Sequence, residues 1–202
     1  MSGATERPVF YLDLTSPESW LAAEEVNGLL PVVPVWQPID VAAVRKLAGG
    51  ASPAVSTGAH STRRAGIERR AAALGLPAVR WPDPFPADAE RAVRAATFAQ
   101  ASGRVVAFSL AAMRQAFAAG RDLTDTDTLL LAGAACELHP RAVLKGIETR
   151  SVHDRVGRAH EAALACGVTD VPCVRAGGEL FSGDSLLERA ARVLGAEELT
   201  GS

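Results

Sequence analysis

At 202 residues, the chain is long enough for one domain, or one domain with a large insertion. A chain of that size buries roughly 70% of its unfolded surface without needing a disulfide or a metal to hold it. Its 48% hydrophobic and 22% charged residues are those of a soluble globular protein, and a net charge of −2 gives no reason to expect nucleic acid or an anionic membrane as partner.

The first eight residues, Met1 to Pro8, lack the charged-then-apolar layout of a signal peptide, and no apolar run approaches a membrane span. Cys136, Cys166 and Cys173 are odd in number and widely spaced. They read as free thiols in a reducing cytoplasm, with no zinc or iron–sulfur spacing.

In chain order, Pro8–Asp13 predicts a short buried strand. A helix follows from Pro17 to Leu30, with proline at its first position and Glu18 complementing its dipole. Val32–Trp36 predicts a second strand, so the first forty residues read as a βαβ unit with parallel strands. Gly49–Gly58 reads as a mobile loop rich in Gly, Ala and Ser.

Helices are then expected over His60–Leu74, Ala87–Ser102, Val105–Ala119, Thr126–Leu138 and Pro140–Cys166, the last broken near Thr149–Ser151. Val171–Ala176 and Glu179–Phe181, joined by Gly177-Gly178, predict a hairpin. A final helix runs Asp184–Leu194, with Gly183-Asp184-Ser185 as its cap region. The layout is βαβ, about a hundred helical residues, then ββα.

Three places carry candidate chemistry. Ser16 precedes Pro17, so its hydroxyl either caps the helix or donates to a bound sulfur. The free N–H groups of the first turn and the macrodipole favour an anion such as a thiolate there, and the two roles converge on one spot. A serine triad is not expected, because all four histidines fall in the helical tract and no Gly-x-Ser-x-Gly elbow is present.

Val171-Pro172 is the second place: a cis bond would turn the Val171 backbone groups toward a cysteinyl peptide. At the third, Asp184 could pair with an α-ammonium while N–H groups of Asp184 and Ser185 take an α-carboxylate. Cys173 is read first as a small core residue and only second as a reactive thiol. The arginines from Arg63 to Arg70 are read as a solvated helix face from which one, Arg64, could reach an acidic substrate.

The runs Asp13-x-x-Ser16-Pro17-x-Ser19-Trp20-Leu21, Gly167-Val168-x-x-Val171-Pro172 and Phe181-x-Gly183-Asp184 resemble the 2-hydroxychromene-2-carboxylate isomerases and kappa-class glutathione transferases, of the DsbA-like thioredoxin superfamily. So do Arg64 to Arg70, Gly75-Leu76-Pro77, Phe85-Pro86 and Phe117-x-x-Gly120-Arg121-Asp122. The resemblance implies a thioredoxin-like fold (1–58 and 167–202) interrupted by an all-helical insertion domain (59–166). It implies a homodimer that binds glutathione or another small thiol and uses no metal.

In those enzymes the cofactor's sulfur adds to a conjugated ketone and leaves after bond rotation, so the resemblance implies an aromatic or conjugated small-molecule substrate. Ser16 would contact the sulfur. Pro17, Val171, Pro172, Gly183, Asp184 and Ser185 would bind the cofactor, and Glu18, Ser19, Arg64 and Asp88 would approach the substrate. Two positions depart from the pattern: Glu18 replaces a frequent aromatic residue, and Asp88 stands where the isomerases carry Asn.

Serine stands at both positions, 16 and 19, where a redox relative would carry Cys-x-x-Cys. Two alternatives remain open from the residues: a thiol–disulfide oxidoreductase relying on Cys173, and a non-catalytic thiol- or peptide-binding protein.

Overall fold

The computed structural model describes residues 7–50 and 57–200; residues 1–6, 51–56, 201 and 202, and with them most of the predicted Gly49–Gly58 loop, lie outside the description. Strand β1 (Val9–Leu12) leads through a Ser-Pro turn into α1 (Pro17–Leu29) and back to β2 (Val35–Pro38). Short α2 (Val41–Leu47) follows, then α3 (Thr57–Ala73), α4 (Glu90–Ala101), α5 (Val105–Phe117), α6 (Thr126–Ala135), α7 (Pro140–Ile147) and α8 (Arg150–Ala165). The chain returns as β3 (Cys173–Ala176) and β4 (Glu179–Ser182) and closes with α9 (Leu186–Thr200).

The four strands lie in the order β2-β1-β3-β4. β1 runs parallel to β2 and antiparallel to β3, and β3 pairs antiparallel with β4 through Gly177-Gly178, both at positive φ where a side chain would be strained. Register aligns Phe10 with Trp36 and Val174, and Val174 with Phe181. Because side chains alternate along a strand, these residues share one face, while Tyr11 and its partner Cys173 share the other.

The first face carries the larger core. Trp20 of α1 stacks on Phe117 of α5 at 5.8 Å between ring centroids, and Phe10 meets Trp36 edge-on at 5.2 Å. Burial of this set, which also takes in Leu186, Leu187 and Leu194 of α9, joins the sheet to α1, α9 and most of the helical tract. The second face is covered by a smaller cluster: Tyr11 and Cys173 pack with Ile39, with Val44 of α2, with Ala163 of α8 and with Val168.

Two differences from the expected elements have a physical cause. The second strand is shifted to Val35–Pro38, because Pro34 removes a backbone donor from the Val32–Trp36 run and pairing starts only where Val35 N–H reaches Pro8 O at 2.7 Å. Helix α2 was not expected. Asp40 caps it, its Oδ1 accepting from Ala42 and Ala43 N–H at 2.9 and 3.0 Å.

At the other end α9 begins at Leu186, two residues later than expected. Gly183 and Ser185 stand at φ 75° and 53°, so the turn before the helix is left-handed and Asp184 lies outside it. None of the helices among the described residues is long and apolar enough to cross a membrane.

Candidate functional site

Ser16 ends the turn after β1 with extended backbone and caps α1, its Oγ accepting from Ser19 N–H at 3.2 Å. Its own hydroxyl proton goes to Glu18 Oε2, 3.2 Å away. Ser19 is fully buried and its Oγ accepts from Asp13 N–H at 3.2 Å, so the second serine braces the turn and does not face a substrate.

Asp13 lies beneath. Oδ1 accepts from Thr15 N–H and Oγ1–H at 2.8 and 2.7 Å, and Oδ2 accepts from Val41 N–H at 3.1 Å. Burial pushes the Asp13 carboxyl up, against the lowering effect of those hydrogen bonds. This carboxylate ties the head of α1 to the head of α2.

The Val171–Pro172 peptide bond is cis. Val171 N–H donates to Asp170 Oδ1 at 2.9 Å, and the same oxygen accepts from Arg45 Nη2 at 2.9 Å. Arg45 Nε also donates to Thr169 O, so α2 and this loop are clamped together.

Cys173, next along, is 0% exposed, and burial reinforced by the Asp170 charge pushes its thiol up to about 12. Buried and held protonated at neutral pH, the side chain is inert as a nucleophile. The core-residue reading of Cys173 describes its surroundings.

Across the cleft, Gly183-Asp184-Ser185 forms the left-handed turn into α9. Arg189 shapes it by donating to Ser182 O at 3.1 Å and to Asp184 O at 3.4 Å, with its guanidinium 5.6 Å from the Phe181 ring. The Asp184 side chain is exposed to the cleft, and no described residue hydrogen-bonds its carboxylate.

The helical tract supplies the remaining wall. Arg63 of α3 holds Glu18 in a bidentate pair, Nε to Oε1 at 2.5 Å and Nη2 to Oε2 at 2.6 Å. Burial alone would raise the Glu18 carboxyl, but Arg63, helped by the Ser16 hydroxyl, outweighs it and holds the group below its usual range. Arg64, the arginine expected near the substrate, instead stacks over Trp81 at 4.7 Å and Phe85 at 5.5 Å. Asp88 lies at the cleft edge, where its Oδ1 accepts from Glu90 N–H at 2.8 Å and steadies the start of α4.

Ser16, Glu18, Val171, Pro172, Gly183, Asp184, Ser185 and Asp88 thus line one cleft of about 1290 Å³, while Pro17, Ser19 and Arg64 stand behind its walls. Arg63, Arg45, Asp170 and Asp13 were given no role in the site from the sequence. Asp13 and Asp170 sit in or beside the two Pro motifs, which is the only local signal they offered. Among the described residues no cluster of His, Cys, Asp or Glu is arranged to hold a metal ion.

A family model described as a DSBA-like thioredoxin domain matches residues 9–195. No curated protein matches the chain. Among solved structures, a 2-hydroxychromene-2-carboxylate isomerase superposes with a TM-score of 0.84 at 19% identity, covering 96% of this chain and 98% of that one. A probable DsbA oxidoreductase from Streptomyces coelicolor gives 0.74 at 20% identity, over 94% and 88%. The cytosolic disulfide reductase DsbM from Pseudomonas aeruginosa, solved with GSH, gives 0.63 at 15% identity, over 96% and 98%.

Proposed function

The chain belongs to the DsbA-like thioredoxin family, and on that premise we propose that it binds a small thiol, glutathione or a relative, and serves as an isomerase or transferase of the 2-hydroxychromene-2-carboxylate isomerase type. The observation that carries the reading is the convergence of Ser16, Val171-Pro172 and Gly183-Asp184-Ser185 on one cleft that no cysteine lines among the described residues. Bound there, a small thiol supplies a nucleophilic sulfur able to add to a conjugated ketone and to leave again.

The chain's own contribution is binding and electrostatics. The Ser16 hydroxyl, once it turns from Glu18, and the positive end of the α1 dipole favour negative charge at one point. The Val171 backbone offers strand-like pairing to a cysteinyl unit once Asp170 releases its N–H, and Asp184 offers a carboxylate to an ammonium. A cleft of about 1290 Å³ exceeds the roughly 300–1,000 Å³ usual for a single small ligand, which leaves room for a second molecule. Phe85 and Leu74 give that space an apolar wall suited to an aromatic or conjugated substrate. Cytoplasmic, homodimeric operation is part of the same proposal.

The oxidoreductase alternative loses its reagent, because Cys173 is buried and held protonated. Thermal stabilisation by small thiols tests the proposal. A thiol at a few hundred times its Kd adds about 3 kcal/mol of stability. Ser16→Ala is expected to weaken that binding about tenfold by removing a hydrogen bond to charge. No stabilisation by any small thiol refutes the proposal.

A further inference from the structure

Two ion pairs form a row of charge at the reactive end of the cleft. Arg45 of α2 holds Asp170 at 2.9 Å, and Arg63 of α3 holds Glu18 at 2.5 Å. The second pair reaches Ser16: Glu18 Oε2 accepts both the Ser16 hydroxyl proton at 3.2 Å and Arg63 Nη2 at 2.6 Å. Ser16, Glu18 and Arg63 all line the cleft.

That proton matters because the head of α1 has spent its other donors. Pro17 has no N–H, Glu18 N–H turns to its own carboxylate, and Ser19 N–H donates to Ser16 Oγ. On the facing loop, Val171 N–H is held by Asp170. The Ser16 hydroxyl is therefore the donor that a sulfur at this helix start can recruit, and it has one hydrogen to give. The hydrogen goes either to Glu18 or to the ligand. Arg63 bears on that choice. A carboxylate without a partner at position 18 would keep the hydroxyl and repel a developing thiolate, whereas a guanidinium on both its oxygens offsets both effects. Arg63 holds Glu18 below its usual range, so Glu18 is ionised and competes for the serine proton throughout the neutral region.

We infer that Glu18 and Arg63 are positioning residues that set, in opposite directions, how readily a thiol bound at Ser16 ionises. Glu18 keeps the serine proton and repels charge on the sulfur, and Arg63 offsets Glu18. This rests on the proposal that the cleft binds a small thiol. In the step itself the S–H bond breaks, its proton passes to solvent, and the Ser16 hydroxyl turns from Glu18 to the sulfur. The other charged groups around this point belong to separate elements. Asp13 lies behind the turn, Asp40 and Arg45 come from α2, Asp170 from the cis-proline loop and Asp184 from the turn before α9. Of these, Asp170 adds to the charge that Arg63 feels. All five stay in place when residues 18 and 63 are changed.

The ultraviolet absorbance of the thiolate, followed for glutathione under saturating protein from about pH 6 to 10, tests the inference. The thiol-free protein is the reference, and its single tyrosine stays protonated to about 12. Glu18→Gln is expected to lower the pH at which the bound thiol is half ionised by about one unit, and Arg63→Gln to raise it by about one unit. The double variant, with both charges gone, should return it close to the wild-type value. A purely structural disturbance would move both single variants the same way. Shifts of one sign in both, or no shift in either, overturn the inference while leaving thiol binding in place. Titration calorimetry of the four proteins with glutathione and with cysteine reads binding separately. Binding of neither thiol to any of the four overturns thiol binding itself, and the inference with it.

Discussion

The two faces of the sheet are built for different purposes. One buries Phe10, Trp36, Trp20 and Phe117 in ring-to-ring contact, takes in the Cys136 thiol, and at its margin has Arg114 and the Trp20 indole sharing Glu24. The other is thin and keeps three titratable side chains neutral: Tyr11, Cys173 and, at its edge, His160, which accepts Asp40 N–H at 3.0 Å. The contacts between the aromatic rings supply stability that does not itself titrate. The thin face makes stability depend on pH, and it is the face against which the Val171-Pro172 loop and α2 are set.

Truncating the aromatic face is expected to have the largest effect. Phe117→Ala removes the partner of Trp20, Trp81 and Phe85 and should lower the unfolding free energy by about 3–5 kcal/mol, equally at pH 6 and pH 9, in urea denaturation. A loss that varies with pH would break the contrast between the faces.

The alkaline limb comes next. Burial, with Cys166 contributing, pushes Tyr11 to about 12, and burial holds Cys173 at about 12. In the unfolded chain the thiol ionises near 9 and the phenol near 10, so the folded state binds more protons between those values and 12. Stability from these neutral forms is therefore complete below pH 9 and is lost as pH rises toward 12, by at most about 1.4 kcal/mol per pH unit for each group. Cys173→Ala should flatten the first part of that fall, and an unchanged slope would contradict the burial argument.

The smallest effect is on the acid side. Burial lowers His160, with the Asp40 charge opposing, so the unfolded chain binds its proton first. The stability from neutral His160 is full above pH 6.5 and is lost as pH falls below that, because imidazolium cannot accept the Asp40 N–H. His160→Gln should remove this slope below pH 6.5 while leaving the alkaline limb unchanged.

How much of this was legible in the chain depends on how local each signal is. The Ser16-Pro17 turn, the Val171-Pro172 loop and the Gly177-Gly178 hairpin are written in residues that act through their own backbone, and their placement could be read directly. The second strand was misplaced because an apolar run says what is buried and not which N–H groups can pair; Pro34, which has none, decided that. Helix α2, seven residues long, has a cap signal in Asp40 but too few apolar positions to show a period.

The site's charge row was out of reach for a deeper reason. Glu18 and Arg63 lie 45 residues apart, and Arg45 and Asp170 lie 125 apart. Choosing Arg64 over Arg63 amounts to guessing the rotation of α3 about its axis, which only its packing determines: adjacent helix positions differ by about 100°. Trp81 and Phe85 take the one, and Glu18 the other.

Serine at positions 16 and 19, with Cys173 sealed behind the cis-proline loop, has a consequence for how such a site behaves over time. A dithiol centre carries the outcome of its last encounter as a disulfide and must be reset before the next. Here no cysteine lines the cleft among the described residues, so the protein keeps no such record. On the proposed function, each turnover would start from the same cleft, and the redox state of the reacting sulfur would arrive and depart with the ligand.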